Sequence, residues 1–400
     1  MQDAAAPTTA PVIDWFDPHE MFADPYPGYA RLREVGPVVQ VPTIGRHLMT
    51  SQAAVLAAEH DPETFSSHSS PNLMVEALGG RPMLRLDDPA HAEERGAVNP
   101  TLRPKAIKTV WSAKFEESVD RWLDRLAEVS DPDLNRDFAA PVASQNLIDL
   151  VGFDVVDGVT VDDMARWSTD YIAGIGNILD DQDIWARCTR SREEVDAVLD
   201  ELIPRLAKEP NGSVTSHLMQ AGLSEDQVRV NTRLTISGGM NEPQHMITAM
   251  VWALEQHPEQ RAMVLDDPSL FGGAFEETVR WQSPIGMVPR QTTRDVEVLG
   301  VQIPEGAQVG VLLASANRDP EAFPDPDRFD ITRHARGHVG FGNGAHMCAG
   351  RWAAKTAVGE IALPRLYQRF PDLALAADRP ASWAGWVFRG ITELPVTLRA

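Results

Sequence analysis

Residues 341–350 of this chain read FGNGAHMCAG, and they place Cys348, one of only two cysteines, in a glycine-rich loop. An apolar stretch of helical length, residues 350–370, follows directly. Backbone N–H groups of such a turn at a helix N-terminus hold a thiolate deprotonated, and the glycines let the backbone pass close under a flat ligand. This arrangement predicts that Cys348 binds a metal centre through its sulfur.

An isolated cysteine is most often a small buried apolar residue, but the pattern around this one favours a different interpretation. All six fixed positions of F-G-x-G-x-H-x-C-x-G are matched. The loop resembles the haem-binding loop of the cytochrome P450 family. The resemblance implies a haem b whose iron is bound by Cys348. The other haem contacts that it implies in the loop are Phe341 beside the sulfur, His346 at a propionate, and the glycines Gly342 and Gly350.

Two further motifs follow in the order that this family has. Residues 277–280, ETVR, match its E-x-x-R pair, whose side chains share one helix face. Residues 323–329, FPDPDRF, are similar to the segment whose arginine, here Arg328, joins that pair. A Glu–Arg pair alone is usually an ordinary surface ion pair. Its order and its distance from Cys348 instead indicate a structural role beneath the haem.

Basic residues upstream of the loop complete the haem contacts that the resemblance implies. Arg290 occupies the position of a propionate-binding arginine, and residues 91–95, HAEER, match an H-x-x-x-R helix. His91 and Arg95 are four residues apart and therefore face one side of that helix. Either motif alone would indicate only charged residues on a solvent-exposed face. Together with His346 they supply four basic groups for two propionates.

Length and composition favour one large domain. No linker, repeat or low-complexity block divides the 400 residues, and 43% apolar residues are ample for a core. We expect residues 1–12 to be a disordered lead-in and residues 13–400 to form the domain. There is no run of about 18 apolar residues to span a bilayer, and two cysteines give no disulfide framework. These features predict a soluble protein of the cytoplasm, and among the branches of the family they fit a bacterial one.

Hydrophobic periodicity predicts a mainly α-helical protein with small β-sheets. The cytochrome P450 fold that the resemblance implies is the same in outline. The stretches of helical length and period are residues 26–35, 106–126, 162–175, 190–206, 224–257, 271–282 and 350–370. The strand signals are short, at residues 38–50, 296–303 and 308–313 and near the C-terminus. The resemblance to the family extends from about residue 26 to the end.

A net charge of −22 disfavours nucleic acid and anionic membranes as partners. Two local clusters have the opposite sign. They are Arg103, Lys105, Lys108 and Lys114 after the His91 helix, and Arg333, Arg336 and Arg351 around the cysteine loop. Two interpretations stay open: the clusters are solvated charges, or they attract an acidic electron-transfer protein to the face nearest the thiolate.

Residues 238–243, GGMNEP, depart from the family pattern in the helix that crosses the distal side of the haem. Many members have A-G-x-(Asp/Glu)-Thr there, and the acid and the alcohol deliver protons to bound dioxygen. With Gly239 at the glycine position, Asn241 replaces the acid and Glu242 replaces the threonine. Pro243 lacks an N–H, so the carbonyl of Gly239 loses its helical partner. We expect the helix to open there into a groove for dioxygen and water.

Glu242, with Asn241 beside it, is the predicted catalytic group. A buried carboxylate relays protons when desolvation raises its pKa, whereas the alternative is a solvated glutamate on the outer helix face. The M-(Gln/Asn)-E-P pattern resembles one subgroup, the bacterial aromatic O-demethylases that act on guaiacol- and syringol-type methoxyphenols. His245, just past the proline, and residues 383–390, WAGWVFRG, support that likeness.

Seven apolar or small residues fall where that subgroup lines its substrate pocket, and a compact aromatic ring suits such a lining. They are Leu84, Ile175, Leu234, Gly238, Ile285, Val288 and Phe388. Each of them taken alone is also compatible with a place in the core.

The resemblance implies a haem-thiolate monooxygenase that demethylates a small lignin-derived methoxyphenol and releases formaldehyde. Dioxygen is the oxidant, and electrons come from NAD(P)H through a separate reductase or ferredoxin, since the chain has no flavin or iron–sulfur segment. Three alternatives stay open. The chain is a peroxygenase that uses hydrogen peroxide through Glu242, a hydroxylase of another small hydrophobic substrate, or a haem-binding sensor or carrier without turnover.

Overall fold

The computed structural model describes residues 8–333, 335 and 337–398. It is mostly helical, at 58%, with small sheets, which confirms the predicted fold class. The described chain forms two compact units. The first unit comprises Met1–Ser70, Glu276–Cys348 and Trp383–Gly390, and the second comprises Pro71–Phe275, Ala349–Ser382 and Ile391–Ala400. Because neither unit is one continuous stretch, the sequence shows no linker between them.

The α-helices make up most of the described residues. The first nine are α1 (Pro18–Ala23), α2 (Pro25–Val35), α3 (Gln52–Glu59), α4 (Leu73–Leu78), α5 (Ala90–Leu102), α6 (Pro104–Ala106), α7 (Ser112–Leu126), α8 (Ala140–Val151) and α9 (Val161–Ile175). The others are α10 (Gln182–Lys208), α11 (Val214–Gln220), α12 (Glu225–Gly239), α13 (Asn241–Gln256), α14 (Pro258–Asp266), α15 (Phe271–Gln282), α16 (Leu313–Ala316), α17 (Arg351–Ala354) and α18 (Leu363–Arg369). Within the described ranges, each helix is too short or too polar to cross a membrane.

The strands are short, as the sequence predicts. They are β1 (Thr8–Thr9), β2 (Val38–Val41), β3 (Arg46–Met49), β4 (Phe65–Ser66), β5 (Val288–Thr292), β6 (Val296–Val298), β7 (Val301–Ile303), β8 (Gln308–Val311), β9 (Ala374–Leu375), β10 (Ser382–Ala384), β11 (Gly390–Glu393) and β12 (Val396–Thr397). Three π-helical segments, Ile107–Trp111, Asn135–Ala139 and Lys355–Ala362, adjoin helices.

A five-stranded sheet with the order β2-β3-β8-β5-β4 forms the frame of the first unit. Strand β3 runs parallel to β8, and the other neighbours are antiparallel. The core beside the sheet includes Val38, Met49, Val309 and Val311 from the strands and Val55 from α3. This packing fixes β5, which carries Arg290, and α3, whose last residue Glu59 contacts the cysteine loop.

The N-terminal segment is more ordered than the sequence predicts. Residues 8–12 belong to the expected disordered lead-in, and residues 1–7 lie outside the described residues. Thr8 instead pairs in parallel with Val301 of β7, and Val12 forms a bridge with Gln40. The expectation is wrong for residues 8–12, because strand edges elsewhere in the first unit supply backbone hydrogen-bond partners that composition cannot reveal.

The stretch predicted as one helix over residues 224–257 is two helices, α12 and α13. Helix α12 begins with a capping box between Ser224 and Gln227 and ends at Gly239. Met240 separates it from α13. Pro243 lacks the N–H that would extend the helical ladder. The expected interruption of the helix is confirmed, and the groove beside it stays a prediction.

Candidate active site

The cysteine loop, residues 341–350, makes the sharp turn that its glycines predict. Gly342 and Gly344 have φ of +68° and +66°, in the left-handed region that favours glycine. The backbone N–H of Cys348 donates to the carbonyl oxygen of Phe341 at 2.8 Å and closes the loop. Cys348 is exposed, although cysteine is usually buried. The loop therefore presents a thiol at the surface of the first unit.

His346 and Phe341 lie half-buried in this loop. Nε2 of His346 lies 3.0 Å from Oγ of Ser67, just after β4. The ring centroid of Phe341 lies 6.0 Å from that of His338. The sequence predicts neither neighbour. The roles of His346 at a propionate and of Phe341 at the sulfur stay predictions.

Arg290 is buried on β5 of the first unit. Its Nη2 donates to Oε1 of Glu59 at 2.8 Å, and its Nη1 donates to the carbonyl oxygen of Pro289 at 2.9 Å. Oε2 of Glu59 accepts from the backbone N–H of Asn343, in the cysteine loop, at 3.0 Å. The predicted propionate-binding arginine thus has a buried carboxylate partner that sequence analysis missed.

Glu277 and Arg280 form the predicted pair, with both side chains fully buried and two N–O contacts of 2.7 Å. The expectation that Arg328 joins them is wrong. Nε of Arg333 lies 3.4 Å from Oε1 of Glu277, whereas the side chain of Arg328 is 68% exposed and faces Asp330. Arg328 contributes only its carbonyl, which accepts from Arg280 at 3.2 Å, so its side chain points away.

Helix α5 of the second unit carries His91 and Arg95 one turn apart, as predicted. Nδ1 of His91 lies 3.2 Å from Oδ1 of Asp88, and Nε of Arg95 donates to Oδ1 of Asn99 at 3.3 Å. His91 is buried and Arg95 is half-buried. These two residues and Gly350 belong to the second unit, and the other predicted haem contacts belong to the first. Their shared role at a haem stays a prediction.

Glu242 lies in the first turn of α13, directly after the break. Its Oε2 is out of contact with solvent and has no hydrogen-bond partner among the described residues. Burial raises the pKa of Glu242 from 4.5 to about 7, against smaller lowering effects of its own backbone N–H and the Asn241 side chain. The carboxyl group is therefore part protonated near neutral pH, and the alternative of a solvated outer-face glutamate does not hold.

His245 follows on the same turn of α13. Burial lowers its pKa to about 4, so the imidazole is neutral at pH 7. Its Nδ1 lies 3.2 Å from the carbonyl oxygen of Ile391. Because a carbonyl only accepts, the proton sits on Nδ1. His245 thereby joins the helix after the break to strand β11, a link that sequence analysis does not reveal.

The first unit brings together two of the predicted pocket residues. Ile285 and Phe388 face each other in an antiparallel bridge, and Val288 lies half-buried on β5. The backbones of the two bridged segments lie close together, since a Cβ on Gly286 would collide with the carbonyl oxygen of Trp386. The bridge fixes Phe388 beside Ile285, although these residues are about a hundred positions apart in the sequence.

The remaining predicted pocket residues belong to the second unit. Leu84, Ile175 and Leu234 are half-buried. Gly238 is exposed, and a Cβ at that position would meet no atom within 4 Å. The space beside α12 at this position is open, and the groove for dioxygen and water stays a prediction. Which substrate the residues contact stays a prediction.

The basic clusters differ in part from the sequence expectation. Arg103, Lys105 and Lys108 are exposed on the second unit. Lys114 forms an ion pair of 2.8 Å with Asp154, so its charge is partly compensated. Arg333 belongs to the buried Glu277 network and is not a surface cation. Arg336 lies outside the described residues. Arg103, Lys105 and Lys108 thus keep exposed positions in the second unit, and Arg351 is half-buried there.

The chemistry of these residues fits a haem. Among the described residues, no group of three or more His, Cys, Asp or Glu side chains could hold a metal ion. Cys348 is a single exposed sulfur, the ligation expected where a macrocycle supplies the other donors. The basic side chains suit carboxylates such as propionates.

Comparisons with known proteins identify similar chains. The model of the family Cytochrome P450 matches residues 270–374. Cytochrome P450 CYP199A2 of Rhodopseudomonas palustris is 33% identical over 95% of this chain and 92% of its own length. The 6-deoxyerythronolide B hydroxylase of Saccharopolyspora erythraea is 32% identical over 98% of this chain and 99% of its own. The crystal structure of P450BioI with a hexadec-9Z-enoic acid ligated acyl carrier protein has a TM-score of 0.86 at 28% identity, over 96% of this chain and 100% of that one.

Proposed function

We propose that this chain, which belongs to the cytochrome P450 family and is a monooxygenase, demethylates a small lignin-derived methoxyphenol of the guaiacol or syringol class. The observation that carries the proposal is Glu242, a buried carboxylate with an unpaired oxygen at the break between α12 and α13. Its M-N-E-P context and the segment WAGWVFRG resemble the aromatic O-demethylase subgroup.

The reaction converts a methoxyarene, dioxygen, two electrons and two protons into a phenol, formaldehyde and water. One oxygen atom enters a C–H bond of the methyl group, and the other leaves as water. The resulting hemiacetal then breaks its bond between the methyl carbon and the phenolic oxygen. The electrons come from NAD(P)H through a separate reductase or ferredoxin, in the cytoplasm.

Haem bound through Cys348 supplies the activation of dioxygen, and a thiolate ligand favours cleavage of the O–O bond. In the proposal, Arg290, His346, His91 and Arg95 hold its propionates. Phe341 shields the sulfur, and Gly342 and Gly350 keep the backbone close to the macrocycle.

Glu242 holds one of the two protons that the reaction consumes. With a pKa of about 7, its carboxyl group is protonated in part of the molecules at neutral pH and recovers a proton readily after giving one up. The Asn241 side chain has a smaller effect that lowers the pKa of Glu242 and so favours the charged form after transfer. The open space beside Gly238 leaves room for water that reloads the acid.

The substrate proposal rests on an apolar lining of limited size. The bridge between Ile285 and Phe388 sets an aromatic ring against a β-branched side chain, and both are only half-buried in the protein alone. Such surfaces suit a flat aromatic ring.

A panel of methoxyarenes tests the proposal, with the shift of the Soret band on binding and formaldehyde release as readouts. Guaiacol or syringol should give a high-spin shift and one formaldehyde per phenol formed. A spin shift confined to macrolide or long acyl substrates, the chemistry in the names of two relatives, would instead favour hydroxylation of another hydrophobic substrate. Binding without any product would favour a sensor or carrier.

Glu242 also favours a second activity, the use of hydrogen peroxide as oxidant. A carboxylate with a pKa of about 7 can take a proton from hydrogen peroxide and return it to the departing oxygen. This peroxygenase reaction needs no reductase. Comparing demethylation driven by peroxide with demethylation driven by a reductase and NAD(P)H distinguishes the two.

A further inference from the structure

Glu59, the last residue of α3, is a buried carboxylate to which neither the family pattern nor the proposed function gives a role. Only 4% of the residue is exposed. A buried carboxylate is costly unless it is paired and hydrogen-bonded. It is the one charged residue of the helix QAAVLAAE, which is otherwise apolar apart from Gln52. Its burial at the end of this helix therefore calls for specific partners.

The two carboxylate oxygens of Glu59 bind different parts of the proposed haem site. Oε1 accepts from Nη2 of Arg290 at 2.8 Å, and the two side chains are 1% and 5% exposed. Oε2 accepts from the backbone N–H of Asn343 at 3.0 Å. A single side chain thus connects strand β5 to the cysteine loop within the first unit.

The surrounding contacts show that the loop is built against this end of α3. Nε2 of His60 lies 3.0 Å from Oδ1 of Asn343. A Cβ on Gly342 would lie 3.3 Å from Oε2 of Glu59, and one on Gly344 would collide with the Glu59 carbonyl oxygen. The two glycines with positive φ therefore also make the close approach to Glu59 possible.

We propose that Glu59 is a positioning residue for the haem, acting through Arg290 and the cysteine loop and not by contact with the macrocycle. It fixes the guanidinium at the position of the proposed propionate contact. It also holds the Asn343 amide, five residues before Cys348. Its negative charge balances that of Arg290, so the pair adds no net charge to the site.

The charge balance between Glu59 and Arg290 predicts the direction in which each substitution changes the reduction potential of the haem. Removing the carboxylate charge leaves the Arg290 cation unbalanced, and a nearby positive charge favours the ferrous over the ferric state. Glu59→Gln should therefore raise the reduction potential of the haem. Arg290→Gln should lower it, and the double variant should lie close to the wild type.

The experiment uses the holoprotein and two measurements, spectroelectrochemical titration and haem transfer to excess apomyoglobin. Glu59→Gln should raise the potential and release haem about tenfold faster or more, since it breaks a buried ion pair. Glu59→Asp keeps the charge but shortens the reach, so it should release haem faster at a near wild-type potential. If Glu59→Gln does not fold, Glu59→Asp and Arg290→Gln carry the same test.

Glu63→Gln is the matched control, because it removes the same charge from an exposed glutamate four residues away, and it should change neither quantity. The inference would be overturned if Glu59→Gln kept the haem release rate and the reduction potential of the wild type. It would also be overturned if Glu59→Gln and Arg290→Gln shifted the potential in the same direction. The inference rests on haem binding by the Cys348 loop. A wild-type protein without a thiolate-type ferrous–CO band would contradict that assignment instead, and failure to demethylate would leave the role of Glu59 intact.

Discussion

Nε2 of Gln244 donates a hydrogen bond of 2.8 Å to Oδ1 of Asn135, which fixes the first turn of α13 to the π-helical segment that precedes α8. The next residue, His245, binds the Ile391 carbonyl oxygen. Two successive side chains thus hold the turn that carries Glu242. The break before α13 is therefore fixed in position within the second unit, with the Glu242 side chain on a turn that two contacts hold.

The first prediction concerns the proton chemistry of Glu242. Glu242→Gln keeps the size of the side chain and removes the titrating group, so peroxide-driven demethylation should fall more than about tenfold with little change in substrate affinity. Glu242→Thr should lose peroxide activity as well and keep reductase-driven activity. Glu259→Gln, an exposed glutamate in the first turn of α14, is the control. Full peroxide activity in Glu242→Gln would make the carboxylate a bystander.

The same residue predicts a pH dependence of stability. Burial raises the pKa of Glu242 to about 7 from 4.5, so folding favours its protonated form. The stability that it contributes is complete below about pH 4.5 and is lost as the pH rises through about 7. Relative to Glu242→Gln, the wild type should lose up to about 3 kcal/mol of unfolding free energy between about pH 4 and 8. A pH-independent difference between the two proteins would contradict this.

The third prediction tests which arginine supports the buried pair. Arg333→Gln removes a partner of the fully buried Glu277 and should cost about 2 kcal/mol or more of unfolding free energy. Arg328→Gln changes an exposed side chain and should cost less than about 0.5 kcal/mol. Chemical denaturation of the two variants gives the comparison. Equal losses would mean that Arg333 does not hold Glu277.

The parts of the site that the sequence predicts well are those whose chemistry is local. The cysteine loop and the break at Met240 follow from Gly342, Gly344 and Pro243, because each of these residues restricts its own backbone. Local patterns decide such features whatever packs around them. The fold class follows in the same way from the lengths of the stretches that have helical or strand periodicity.

The parts that the sequence misses depend on contacts between distant segments. Glu59 meets Arg290 across 231 positions, and Gln244 meets Asn135 across 109. The side chain that contacts Glu277 is that of Arg333 and not that of Arg328, because the chain turns after Asp330, whose backbone N–H binds Glu277. For Glu59 alone the sequence offers a local indication, because it is the single charged residue of α3 and lies at the end of that helix.

A fourth prediction concerns three cations of the second unit that belong to the predicted basic clusters. Charge reversal at Arg103, Lys105 and Arg351 should slow reductase-driven turnover and flatten its salt dependence, since an acidic partner loses its attraction. Peroxide-driven turnover should stay unchanged. Reversal of Arg190, exposed on α10, is the control. Equal losses in both assays would indicate damage to the fold and not loss of docking.

The fifth prediction tests the metal ligand. Cys348→Ser should abolish the red-shifted ferrous–CO Soret band of a thiolate-ligated haem, because a hydroxyl is a poor ligand where a soft sulfur donor is needed. Cys188→Ser, which changes the buried cysteine of α10, should keep the band. An unchanged band in Cys348→Ser would refute the ligand assignment.

The most direct test of the account is turnover of guaiacol under ¹⁸O₂ with a reductase and NAD(P)H, with all aromatic products analysed by mass spectrometry. Demethylation by insertion into a methyl C–H bond predicts an unlabelled dihydroxybenzene, because the phenolic oxygen is the original ether oxygen. One trapped formaldehyde should accompany each phenol. A labelled ring-hydroxylated product that keeps its methoxy group would contradict the proposed reaction.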